Sequence, residues 1–172
     1  MRAQSSDNCN LQSALVVTQS PVQGSVVSGV GSRPISVTVC DAASPTANCA
    51  LCVVAFTVND VGPPTIGVVT VDKPVLWPPE HQMVDVAVSY TATDNCSAPT
   101  CAISVTSNEP INGVADGDTA PDWAVIDSHH VQVRAERAGN GIGRIYTIAV
   151  RCTDAAGKIA TRTGTVVVPH SL

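Results

Sequence analysis

The chain has 172 residues, a net charge of −5 and only 13% charged side chains. A surface so poor in Lys and Arg argues against a nucleic-acid-binding face and against polybasic attachment to a membrane, and no apolar run approaches the roughly 18 residues of a membrane span. Hydrophobic residues make up 44% but aromatics only 3%, so the core has to be built from small side chains, chiefly Val, Ala and Ile.

In chain order, MRAQSSDNC carries no apolar stretch and does not read as a secretory signal. For a secreted protein, that signal would lie outside this sequence. Short alternating runs follow: ALVVTQ, GSVVS, ISVTVCD and LCVVAFTVND. Alternation over such lengths predicts half-buried strands, and no segment holds a helical period. VGPPT (Val61–Thr65) then reads as a linker, because its prolines stiffen the chain and cannot donate to a ladder. Beyond it come IGVVTVD, MVDVAVSYTATD, CAISVTSN, HVQVRAE, RIYTIAVRCTD and ATRTGTVVVP. The chain therefore reads as all-β.

The chain also repeats itself. DNC occurs at Asp7–Cys9 and at Asp94–Cys96, VVTQSP resembles SVTSNEP, and VTVCDAAS resembles AVRCTDAAGK. Such self-similarity predicts two copies of one architecture, residues 1–62 and 63–172. Many short strands with regular turns favour β-sandwiches of immunoglobulin type.

Seven cysteines point to an oxidising compartment. CALC offers Cys49 and Cys52 at zinc-ligand spacing, with Cys9 and Cys40 to complete a set. Residues three apart in a strand face opposite ways, however, and no Gly or Pro supplies a turn there. A thioredoxin-like role is weaker still, since no helix follows. Cys40 and Cys49 flank the hairpin-like loop DAASPTAN and can bridge across it.

Asn108–Trp123, NEPINGVADGDTAPDW, gathers carboxylates in a chain that has few. One reading is a calcium site fed by Glu109, Asp116, Asp118 and Asp122, with Asp94 or Asp154 added from neighbouring loops. It is not an EF-hand, whose Gly and Glu positions are here Pro121 and Asp127. The competing reading pairs the carboxylates with Arg134, Arg137 and Arg144, and a third leaves them as solvated charges that keep the loop soluble. Acid/base catalysis lacks a pocket that would separate two carboxyl pKa values, and Ser128 beside His129 and His130 is no triad. Those histidines alternate in a strand and read as surface or rim. Trp77, in LWPPEHQM, reads as a core plug rather than a sugar platform.

The order DNC, Pro, strand, DAA, strand and D-x-x-PP resembles the hyalin repeat, an immunoglobulin-like module of extracellular proteins. The second half resembles a bacterial branch of that family through LWPPEHQM, TDNC, TSNEPINGVADGDTAPDW, RAERAGNGIGRIYTI and CTDAAGK. The resemblance implies a secreted, multi-domain, non-catalytic adhesion or surface protein. It also shows an absence: the first half begins almost at DNC and lacks about two leading strands, which leaves open sheet edges. Either the sequence is cut from a longer tandem or another subunit supplies the strands. Asp60, in VNDVGPP, resembles the inter-domain acids of calcium-stiffened tandems.

The resemblance further implies a Cys9–Cys52 pair. Cys152 sits one place earlier than Cys40 relative to the DAA motif, which turns it inward and makes Cys101 its partner, in the manner of an inter-sheet bridge. Cys96 is then left over, because Thr161 and Arg162 stand where the family often has cysteine. Cys96–Cys101 and Cys96–Cys152 are the alternatives.

The expected architecture is thus a tandem of immunoglobulin-like β-sandwiches, the first lacking its leading strands. The expected function is structural or adhesive at the cell surface, with other copies of the chain or neighbouring domains as partners. Assembly by strand complementation into a surface filament is the sharper form. The alternative is a polysaccharide-binding accessory module of a secreted enzyme, contacting glycans.

Overall fold

The computed structural model describes residues 6–8, 11–111, 117 and 119–171. The described residues are all-β, with a single turn of 3-10 helix at Gln12–Ala14. Contacts divide the chain into two units, Met1–Asp60 and Val61–Leu172.

The first unit is one antiparallel sheet in the order β1 (Val16–Ser20), β2 (Gly31–Cys40), β3 (Cys49–Val58). Asp41 organises the β2–β3 loop. Its Oδ1 accepts the Ala43 and Asn48 N–H groups and its Oδ2 accepts the Asn48 side-chain amide. β1 pairs only with Ser36–Cys40 of β2. Pro34 therefore sits where β2 has a neighbour on one side only, so its missing N–H costs no ladder bond. GSVVS is not a strand: Gly24 turns the chain at φ 86°, the Ser25 N–H and hydroxyl both donate to the Val22 carbonyl, and Val26 is left exposed.

Side chains alternate across this sheet. Register places Ile35, Val37 and Val39 on one face with Cys52, Val54 and Phe56. Ser36 and Thr38 fall on the other face with Val53 and Leu51. Among the described residues of this unit, Leu15 is the buried apolar side chain; Val54 is 55% and Phe56 45% exposed.

The second unit is β-sandwich-like. One sheet runs β5 (Thr70–Val71), β6 (Met83–Ser89), β10 (His130–Arg134), β9 (Trp123–Val125). The other runs β12 (Ile159–Pro169), β11 (Gly143–Thr153), β8 (Thr100–Ser107), and β4 (Thr65–Ile66) pairs with β7 (Ala92–Thr93). Val86, Val131 and Val133 of the first sheet meet Ile148, Val150 and Val166 of the second in one core, each with no exposed surface. Burying each stabilises by roughly 1.5–3 kcal/mol. IGVVTVD, expected as one strand, is divided into β4 and β5.

Candidate functional site

Arg144 is the second residue of β11 and follows Gly143, whose φ is 108° and where an added Cβ would lie 2.8 Å from the Val168 carbonyl oxygen. The Arg144 side chain is fully buried and gathers the acids around it. Nε donates to Glu109 at 3.1 Å, one terminal nitrogen donates to Asp122 at 2.5 Å, and the other donates to the Pro110 carbonyl at 3.3 Å. Glu136 lies 3.5 Å from the same nitrogen that holds Asp122. Asp122 and Glu136 are as buried as the arginine. Glu136 also accepts the Thr119 hydroxyl and faces His81 Nδ1 at 3.3 Å. The Tyr146 hydroxyl donates to the Arg134 carbonyl at 2.8 Å and receives the guanidinium at 3.3 Å.

Burial works against the Arg144 charge, but Tyr146, Glu109 and Asp122 outweigh it and hold the guanidinium above its ordinary range. Burial, resisted by the neighbouring arginine, pushes the Tyr146 phenol up to about 12.

Two of the four residues expected to bind calcium, Glu109 and Asp122, are therefore directed at Arg144. The other two, Asp116 and Asp118, lie outside the described residues. Among the described residues, Arg134 and Arg137 mainly hold backbone carbonyls. Arg134 donates to the Pro121 and His81 carbonyls, with Glu136 no nearer than 3.9 Å, and Arg137 donates to the Pro169 and His170 carbonyls. Asp94 and Asp154 accept backbone N–H groups within their own turns. Glu136, Thr119 and His81 had no sequence signal for this cluster.

Trp77 is not a core plug. Leu76 takes the buried position and Trp77 is 44% exposed, in a shallow groove with Glu80 and Gln82. His129 and His130 are both exposed; His129 stacks on Tyr90 at 4.6 Å and His130 contacts Asp127.

Disulfides join Cys40 to Cys49 and Cys101 to Cys152. Both pairs stand directly opposite in register, Cys40 and Cys49 at the joined ends of β2 and β3. Cys101–Cys152 thus links neighbouring strands of one sheet, β8 and β11, and not the two sheets as the inter-sheet expectation had it. With those two bonded to each other, neither pairs with Cys96. Cys52 is exposed on the apolar face of the first unit and bonds to no described cysteine; Cys9 lies outside the described residues.

Among the described residues, the first unit thus presents an apolar face that is about half exposed at Val54 and Phe56. The outer edge of β3 also has no strand beside it among the described residues, and its ten residues include Leu51, Val53, Val54 and Phe56, all exposed. A long apolar edge of this kind is a template for another strand.

In comparisons with known proteins, no family model matches this chain, nor does any curated protein or solved structure.

Proposed function

We propose that this chain is a non-catalytic structural or adhesive segment of an extracellular, cell-surface protein. It is read as two immunoglobulin-like modules in series, with the hyalin-repeat motifs as the ground for that finer assignment. Another chain completes the first module, and a surface filament is the assembly this favours. The observation that carries the reading is the open apolar sheet of the first unit, which a sandwich would cover with a second sheet. The two disulfides support an oxidising compartment. Light scattering and electron microscopy of the full, untagged chain test it. Regular oligomers or fibres are expected, and a monomer at every concentration would overturn completion by another chain.

The exposed Trp77 groove supports a second reading, a glycan-binding accessory module. An aromatic face beside polar side chains suits a sugar ring. Quenching or a shift of Trp77 fluorescence on adding soluble polysaccharides would favour it, and an unchanged Trp77→Ala binding curve would remove it.

The acidic loop is read as pinned by Arg144 rather than by an ion. Melting with and without chelator is expected to give the same midpoint. A calcium-dependent rise would instead assign a bound ion, since ligands stabilise the state that binds them.

A further inference from the structure

Among the described residues, the half-exposed face carries charge at its two ends, beside the 21–27 loop at one and Leu15 at the other, and a thiol at its middle. Arg33 lies near the start of β2, opposite Phe56 of β3. Asp41 lies just past the end of β2, in the same side-chain parity, beside Leu15, Val39 and Ala50. Val37 is equidistant from them, four residues or roughly 13 Å from each. Register puts Gln19 of β1 and Cys52 of β3 on either side of Val37, so all three stand on one line across the sheet.

A two-fold axis along that line, between two stacked sheets, reverses the strands and returns each strand to its own counterpart. It sets Arg33 of one copy over Asp41 of the other, twice. It sets Val54 over Ala50, large against small. It sets Cys52 over Cys52. We propose that the occupant of this face is a second copy of this chain, the two β1–β2–β3 sheets stacking face to face about an axis through Val37 and Cys52. The proposal rests on the reading that another chain completes the first module, and it names that chain.

The charges favour self-pairing in this one orientation, because a parallel stack would place Arg33 over Arg33. The interface is isologous and closes at two copies. β2 and β3, of ten residues each, and β1, of five, cover roughly 360 Å² at strand spacing. Counted over both copies this is roughly 700 Å², below the usual size of a stable specific interface. The contact is therefore weak alone and gains from a covalent link. Sandwich domains do bridge their sheets by disulfides.

The test uses the full chain. Analytical ultracentrifugation should show a concentration-dependent dimer. Diamide should convert it to a covalent dimer: two Cys52 thiols form one S–S bond, and their two electrons and two protons reduce the diamide to its hydrazine. Peptide mass analysis should find Cys52 joined to Cys52, and Cys52→Ser should abolish the link while leaving the reversible dimer. Arg33→Glu should weaken dimerisation about tenfold, and adding Asp41→Arg should restore it. Because Asp41 also holds its own loop, raising salt on the unaltered chain gives a second readout, with weaker association expected. Fibres that form without a Cys52–Cys52 link and are indifferent to Arg33→Glu would overturn the two-fold arrangement and leave completion by another chain standing. A Cys9–Cys52 bond within one chain would overturn the arrangement by closing the face internally. A strict monomer would overturn both.

Discussion

The two units are written in the same alphabet of short valine-rich strands, yet one has an extended core and the other, among its described apolar side chains, buries Leu15 alone. In the second unit the period-two alternation of β10 and β11 meets an opposing sheet, and Val131, Val133, Ile148 and Val150 lose all exposure. In the first unit the same alternation in β2 and β3 produces an apolar face that stays half-exposed among the described residues, with Val54 at 55% and Phe56 at 45%. Alternation specifies which side of a strand is to be covered, not what covers it. The second unit supplies its own cover. Arg144 enters its interior with three carboxylates to answer, while Asp154 is buried within its own turn.

The contrast can be broken most strongly at that set. Arg144→Met strands Glu109, Asp122 and Glu136 without their cation and should cost roughly 3–5 kcal/mol. Both tryptophans, Trp77 and Trp123, lie in the second unit, so fluorescence-detected urea unfolding reads this loss there alone. Next, Ile148→Ala should cost roughly 2–5 kcal/mol through the cavity it leaves. Val54→Ala, on the open face, should change monomer stability by less than about 0.5 kcal/mol; a large monomer effect would mean that face is already covered. The bridges should differ in the same direction. Cys101–Cys152 spans 51 residues and Cys40–Cys49 only 9. Replacing the first pair by alanine should cost roughly 2–4 kcal/mol and the second pair less, because the longer loop restrains the unfolded chain more. Comparing thermal melts of the two double variants decides it.

A further effect is alkaline. The folded Tyr146 phenol is held at about 12, above its ordinary 10.0. Between those values the unfolded chain has lost this proton and the folded chain keeps it. The stabilisation is complete below about pH 10 and declines as pH rises toward 12, by roughly 2 kcal/mol over the window. Tyr146→Phe should flatten that decline in urea midpoints measured from pH 9 to 12. An equal slope in the variant would place its origin elsewhere.

Much of this architecture is legible in the sequence, at the level of strands. HVQVR and RIYTIAVRCT alternate as their burial does, and the acid-rich loop with its nearby arginines already contained the Glu109–Arg144–Asp122 contact as one of its readings. What could not be read there is whatever depends on a partner strand or on a break in the period. Glu136 should point outward with Gln132 and Arg134. It turns inward because the chain bends after β10, its N–H reaching back to the Arg134 carbonyl. Cys101 and Cys152 each read correctly as strand residues. Whether they oppose one another within a sheet or across two is a matter of register, which neither segment states by itself. GSVVS has the composition of a strand, but Gly24 spends it on a turn.

The in-sheet bridge between β8 and β11 has a consequence under tension. Were the second unit drawn out by its ends, the 51-residue span closed by Cys101–Cys152 would not lengthen with the rest. At about 3.4 Å per extended residue, roughly 170 Å of contour would stay locked behind one covalent bond and be released only on reduction. A pulled molecule would thus show a short extension in oxidising solution and a long one in reductant. The oxidised chain would act as a tether with a built-in stop.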